Sequence, residues 1–502
     1  MNKSTKALST TLDRLPLGDA SQNEDLRVSN KLPEGVKSKE LYKDIVRIAW
    51  PSFVELLLTQ LASMVDMMMV GSIGGEANPE LGVDALTAVG LTTQPKFLLM
   101  TAFVAMNTGV TALIARYKGQ KDKERANLVL RQGMMLTFLS TLVLSILGVI
   151  FSRPMVMFMG GGEESILNES IINQATVYLQ IQLVGFATMA LTSTITAALR
   201  AVGDSRTCMI YNLIANVVNV IFNWLLIGGN LGFPELGVAG ASIATVIGQL
   251  VAFVIALCVI LRGNSFLKLE PKKGFKPEKA MLGNITGIGL PAAAEQLLMR
   301  VGMVLFALVV ASLSKTSYAT HQLCMNIQAL SFMTGQAFAV SATSLVGQSL
   351  GRKRSDMAQA YCSKTRNVGF CVAILLGLIF AFFGGNIVSL YNKDANIIEM
   401  GGRIMLFVAF LQPFQTSQFI IAGGLRGAGD TKSTAKITTV TVLIVRPVVA
   451  VLLVNAGLDL YGAWMALACD QLLRTTLVFL RYKSGKWKLI KLKNETKPAA
   501  NS

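Results

Sequence analysis

From Ile45 onward the chain is a succession of long apolar stretches separated by short polar loops. They fall near residues 45–71, 84–115, 127–159, 173–199, 207–228, 237–261, 281–312, 318–350, 358–390, 402–425, 433–456 and 461–480. A helix needs about 20 predominantly apolar residues to cross the hydrocarbon of a bilayer. Each run meets that length, so the prediction is an all-α integral membrane protein with 12 transmembrane helices. Composition agrees: 52% of the residues are hydrophobic and 15% charged, against about 25% charged in a soluble domain. A soluble particle of this size would expose too much apolar surface to stay dispersed. An ordinary soluble enzyme, a disordered chain, a collagen and a disulfide scaffold are all excluded. The six cysteines show no paired spacing and read as small buried hydrophobes. His321 is the single histidine, which excludes a histidine metal cluster.

The net charge of +17 resolves into a topology signal. The termini and alternate loops, among them 116–131, 200–206, 262–279, 352–366 and 426–436, hold 38 Lys/Arg and 15 Asp/Glu. The opposite loops hold Arg153, Lys315, Lys393 and Arg403 against ten acids. Basic loops stay in the cytoplasm, which places both termini there. With the cations divided among loops between spans, no nucleic-acid surface forms.

The two halves repeat. Leu199-Arg200-x-x-Gly203-Asp204 recurs as Leu425-Arg426-x-x-Gly429-Asp430, an offset of 226. Pro51 and Glu55 recur as Pro291 and Glu295, an offset of 240. Thr111-x-Leu113 with Gly119 recurs as Thr343-x-Leu345 with Gly351 at 232, and Gly240-Ala241 as Gly462-Ala463 at 222. Six spans per repeat give both halves the same orientation, so the prediction is two pseudo-symmetric six-helix bundles related by an axis along the membrane normal. Transporters are commonly built this way, with a site between the halves. The segments are a disordered tail at 1–40, an N-lobe at 41–262, a linker at 263–280, a C-lobe at 281–483 and a basic tail at 484–502.

Four acids and four bases lie inside spans: Glu55, Asp66, Glu295 and Asp470, with Lys96, Arg300, Arg446 and Arg474. Charges at membrane depth mark pathways or structural pairs. Asp470 and Arg474 stand one helical turn apart and read as a structural ion pair. Glu55 and Glu295 follow matching prolines and are candidates for the wall of a substrate cavity, with Gln415, Gln418, Met64 and Met68. Asp66 is the sharpest candidate. Asn219 and Asn223, on a helical stripe Asn212, Asn216, Asn219, Asn223, lie at similar depth, as does Thr245 on the sixth span. One carboxylate among amide and hydroxyl oxygens suits a proton or a hard cation such as Na⁺. Pro51 is a candidate hinge, because it leaves a helix carbonyl unpartnered and allows a bend. No Walker A motif is present, so the energy source is an ion gradient and no enzyme activity is indicated.

In these features the chain resembles the multidrug and toxic compound extrusion (MATE) transporters. The features are the paired Leu-Arg-x-x-Gly-Asp motifs, Met64-Val65-Asp66-Met67, Asn219-x-x-x-Asn223, Gly237-x-x-Gly240-Ala241-x-x-x-Thr245 and Ala319-Thr320-His321-Gln322. The resemblance covers about residues 40–485. It implies two lobes in a V shape and export of amphipathic, mostly cationic compounds in exchange for H⁺ or Na⁺. It assigns the coupling site to Asp66, with Asn219 and Thr245 beside it, and the bend to Pro51. Two positions depart from the family pattern. Asn223 replaces a frequent second Asp, and Gln415 stands where NorM-like members carry a C-lobe acid. Glu295 after Pro291 is closer to DinF-like members. The reading is therefore an ion-coupled multidrug antiporter with no cofactor, acting as a monomer in a plasma membrane, most simply the bacterial inner membrane. The alternative is a flippase for lipid-linked precursors from the same superfamily.

Overall fold

The computed structural model describes residues 10–15, 32–75, 78–159, 168–263, 265–392 and 394–490. Among these residues ten helices are long and apolar enough to cross a membrane. In the first half they are Ser38–Gly71, Pro79–Gln120, Lys123–Ile150, Ser205–Ile227 and Gly237–Arg262. The second half supplies Lys279–Ala311, Lys315–Gly351, Ser355–Tyr391, Ala395–Gly427 and the continuous run Thr431–Lys483. The fourth span is an eleventh crossing: Glu169–Val184 and Phe186–Ala201 join at a 49° bend. At that bend the Ser145 hydroxyl donates to the Leu183 carbonyl at 2.8 Å. The 53-residue run Thr431–Lys483 is far longer than one bilayer crossing. It turns at Gly457 and Asp459, whose φ values are 86° and 44°. Its two arms, beginning at Thr431 and Asp459, pack against each other. Counted as spans eleven and twelve, they complete the expected twelve.

Lipid-facing surface explains the composition. On the third span Leu139, Val143, Ile146 and Ile150 recur at helical spacing and are all more than half exposed. In water such a stripe would drive aggregation, whereas in a bilayer it is solvated. Cys258, Cys371 and Cys469 share this setting. They are exposed on their spans and not buried as expected, because a thiol is apolar enough for lipid.

Two repeat motifs acquire a physical reason. Gly203 and Gly429 adopt φ of 91° and 86° in the turns after the fourth and tenth spans, a region open chiefly to glycine. Gly119 and Gly351 mark the crossing of the second and eighth spans. A Cβ on Gly119 would stand 2.0 Å from the Gln348 carbonyl oxygen, and one on Gly351 would stand 2.0 Å from that of Arg116. The contact is reciprocal, as a two-fold relation between the halves requires.

The halves meet toward their Lys/Arg-rich ends. There Ser344 and Gln348 each donate to the Ala201 carbonyl at 2.9 Å. Arg116 reaches Ala428 at 3.3 Å, and Ser341 reaches Ile45 at 3.5 Å. The stretch 263–280, expected as a linker, is anchored on the first half. Leu267 and Leu269 join its core, and Gln132 donates to the Lys276 carbonyl at 2.6 Å. The tail expected to be disordered is also partly docked. Thr11–Arg14 forms a helical turn, and the first span already begins at Ser38. The docking has a local cause, since Leu12 finds an apolar pocket and is 1% exposed. At the other end Trp487 is likewise buried. Residues 1–9, 16–31 and 491–502 of the expected tails, and the glycine run Gly160–Gly162, lie outside the described residues.

Candidate functional site

The first and fifth spans run parallel and in register. Asn212 donates to Glu55, Asn216 to Thr59 at 3.4 Å, and Asn223 to Asp66. All three pairs are separated by 157 residues. On each helix the three positions are i, i+4 and i+11, which keep to one face. The asparagine stripe is therefore a ladder of amide donors laid along the polar face of the first span.

Asp66 caps this ladder. With the Asn219 amide turned so that both its ends are satisfied, its nitrogen donates to Asp66 Oδ1 at 2.9 Å and to Oδ2 at 3.3 Å. The same amide's oxygen then accepts from the Thr245 N–H at 3.3 Å. Asn223 Oδ1 is buried without a partner, and Thr245 Oγ1 donates to the Ala241 carbonyl at 2.9 Å. Asp66, Asn219, Asn223 and Thr245 are thus brought together from three helices. Among the described residues no three His, Cys, Asp or Glu converge, so the carboxylate stands among neutral ligands. Lys96 on the second span donates to Gln182 at 3.0 Å. Among the described residues no ion pair joins it to Asp66.

The other intramembrane acids are differently placed. Glu55 pairs with Arg200 at 2.7 Å. Glu295 pairs with Arg426 at 2.6 Å and accepts from Thr434 at 3.1 Å and Thr438 at 3.2 Å. Both carboxylates are buried and closed by the arginine of the neighbouring Leu-Arg-x-x-Gly-Asp motif. The expectation that they line an open cavity is corrected here. Each lies within reach of a helix-end guanidinium, and two buried charges that can pair do so. Gln415 and Gln418 are likewise buried, on the tenth span where it packs against the eighth and ninth, and not on an open wall. The Oε1 atom of each has no partner. Met64 and Met68, one turn apart, are exposed. Asp470 is fully buried and holds two cations on one oxygen: Arg446 Nε at 3.0 Å and Arg474 Nη2 at 3.1 Å. Arg446 makes the pair expected of Asp470 and Arg474 a triad. Pro51 sits inside an unbroken helix, where Ser52 donates to the Ile48 carbonyl at 3.0 Å beside the amide the proline lacks.

The MatE family profile matches residues 51–225 and 291–452, one stretch in each repeat. The chain belongs to the MATE family. Among relatives of this MATE transporter, a probable multidrug resistance protein NorM from Thermotoga maritima is 27% identical over 450 residues, covering 89% of this chain and 93% of that protein. An uncharacterized transporter, YisQ of Bacillus subtilis, is 26% identical over 443 residues, with 88% and 94% covered. A multidrug resistance MATE family transporter of the MOP superfamily, in an outward-facing conformation, superposes with a TM-score of 0.79 at 20% identity, covering 91% of this chain and 99% of that one. A MOP superfamily transporter from Pyrococcus furiosus, described as having a binding pocket of reverse polarity that suggests a different function, superposes equally well, at 20% identity over 91% and 100% of the chains. The protein is a multi-pass membrane transporter with the MATE fold.

Sequence reasoning did not assign Arg200, Arg426, Asn212, Thr434 or Thr438 to these MATE carboxylates. One signal was available. The 0, 4, 11 spacing of Glu55, Thr59 and Asp66 repeats in Asn212, Asn216 and Asn223, as two parallel helices in contact require.

Proposed function

We propose that the chain is a secondary active antiporter that exports amphipathic organic cations in exchange for H⁺ or Na⁺. One observation carries the reading. Of the four intramembrane acids, Glu55, Glu295 and Asp470 each have a guanidinium within ion-pair distance. Asp66 is held by amides alone. A carboxylate already neutralised by a fixed arginine has little use for another cation. A carboxylate held only by amide dipoles has no fixed counter-charge, and in a low-dielectric site it is neutralised by a mobile ion, H⁺ or Na⁺. Asp66 is then the coupling residue, Asn219, Asn223 and Thr245 position the ion, and no cofactor takes part.

In the proposed cycle the Lys/Arg-rich face is cytoplasmic, with both termini there, in a bacterial plasma membrane. The inter-half contacts at that face support an outward-open state. An ion entering from outside neutralises Asp66, the first half repacks about Pro51, and bound substrate leaves. The halves then rock and release the ion inside. The exposed Met64 and Met68 offer adaptable apolar surface to varied substrates. The multidrug names of the relatives favour efflux over the flippase reading.

The test is efflux of a fluorescent organic cation from proteoliposomes under an imposed H⁺ or Na⁺ gradient. Wild type exports under one gradient and Asp66→Asn under neither. Equal export by Asp66→Asn would refute the coupling role. No export of any cation by wild type would turn the reading toward the flippase.

A further inference from the structure

Described segments near both termini, residues 10–15 and Ile490, are tied across the seam between the halves, and the N-terminal tie is the more elaborate. At the start of the turn Thr11–Arg14 the Thr10 N–H donates to Asp13 Oδ2 at 2.9 Å. Leu12 inserts among Leu41, Ile45 and Ile48 of the first half and Leu345, Met357 and Tyr361 of the second. The Thr11 N–H donates to Asp44 at 2.8 Å, and the Tyr361 hydroxyl donates to the same oxygen at 2.7 Å from the other half. Arg352, at the end of the eighth span and only 2% exposed, pairs with Asp13 at 2.8 Å and donates to the Leu15 carbonyl at 3.1 Å. The C-terminal tie is simpler: Arg116 of the first half donates to the Ile490 carbonyl at 2.7 Å.

We propose that residues 10–15 form an intramolecular clasp that holds the two halves shut at the Lys/Arg-rich face and has to detach before that face opens. The argument is geometric. Asp44 and Arg352 belong to different halves, and the segment bonds to both while Leu12 fills the apolar gap between them. Any rotation that parts the halves at this face separates Asp44 from Tyr361, and Arg352 from the first span. The segment can then keep at most one set of partners. Its docking energy therefore counts toward one state of the transporter and is lost in the other, which is the condition for a population shift. The clasp thus sets how much of the population rests closed at this face. Anything that captures the free segment favours the opposite state.

The proposal rests on the rocking-halves reading above, and its test separates the two. Lys121 and Lys353, both exposed, end the second and eighth spans on this face. They become spin-label sites as Lys121→Cys and Lys353→Cys, in a background with Cys258, Cys371 and Cys469 changed to Ala. Distances are measured in the full chain, in a chain lacking residues 1–16 and in Leu12→Asp. We expect a predominantly short distance in the full chain, and a long-distance population at least three times the full chain's in both variants. An added synthetic peptide spanning residues 8–17 restores the short distance in the deletion. If the full chain and the deletion open alike under an imposed gradient, or if the peptide reverses nothing, the clasp is refuted while rocking stands. If no variant shows a second distance under any gradient, rocking itself fails and the clasp with it.

Discussion

The two repeats agree near the Lys/Arg-rich face and part company deeper in the membrane. At the shallower level each half buries a glutamate one turn after a proline and closes it with the arginine of its own Leu-Arg-x-x-Gly-Asp turn. Asn212 completes the first pair and Thr438 the second; the offset of 226 relates these two residues. Deeper, the same offsets place Phe306 opposite Asp66, Val445 opposite Asn219, Val449 opposite Asn223 and Leu467 opposite Thr245. Four polar positions in one half are four apolar positions in the other. Phe306, Val449 and Leu467 pack in or against one hydrophobic cluster. The shared level serves both bundles as scaffold, and the level that differs is the one at which the proposed coupling site lies in the first half alone. The second half keeps polar groups at depth, but as a closed triad of Asp470, Arg446 and Arg474.

The comparison breaks most visibly if the two deep acids are exchanged in role. Asp66→Asn is expected to abolish gradient-driven efflux and leave the thermal unfolding midpoint in detergent unchanged or raised, since no fixed cation loses its partner. Asp470→Asn should do the reverse. It strands two buried guanidiniums, and removing one member of a buried ion pair costs about 3–5 kcal/mol. The midpoint should fall steeply, and the triple change Asp470→Leu, Arg446→Met, Arg474→Leu should recover most of it, because well-packed apolar replacements of buried ion groups are often neutral or better. A stable Asp470→Asn with lost coupling would move the ion site to the second half.

The shallow glutamates should behave as twins. Glu55→Gln and Glu295→Gln each weaken a charge-assisted contact to an arginine that remains partly exposed. A loss of about 1–3 kcal/mol is expected for either, with efflux retained in both. Unfolding midpoints of the two variants side by side check the symmetry. If Glu55→Gln alone uncouples transport, the shallow level is functional in the first half only and the division drawn above is misplaced.

How much of this was legible in the residues follows the range of the interaction. The spans were readable because lipid imposes a long apolar run on each helix, independently of its neighbours. The repeat was readable from drifting offsets, and the group of Asp66, Asn219, Asn223 and Thr245 from equal depth on their helices. Arg200 and Arg426 were not readable as partners of Glu55 and Glu295. In the charge count they belong to loops, and only the packing of the first span on the fifth, and of the seventh on the eleventh, carries them to a glutamate. Leu12 was opaque for a related reason. One leucine in a four-residue turn has no periodicity, and its pocket is made by residues of both halves.

A smaller effect tests which atoms hold the ion. Asn223→Asp sets a second carboxylate against Asp66, and two adjacent carboxylates resist joint ionisation unless a cation sits between them. Na⁺ affinity should rise about tenfold, a gain of about 1.4 kcal/mol, read from the Na⁺ dependence of the unfolding midpoint. An unchanged affinity would remove Asn223 from the ligand set and leave it as a donor to Asp66 alone.

The smallest change is at Thr245. Its hydroxyl proton is committed to the Ala241 carbonyl, which leaves its lone pairs to accept. Thr245→Val keeps the shape and removes one acceptor, so the expected loss is that of a single hydrogen-bonding group, about 0.5–1.5 kcal/mol. In coupling-ion affinity that is roughly two- to tenfold. Thr245→Leu goes one step further by installing the residue that the second repeat carries at this place. If valine is mild and leucine severe, volume at the site matters more than the oxygen, and the first half is distinguished by the room it keeps around Asp66. If both fall by the same small factor, the oxygen is the difference between the two halves at this place.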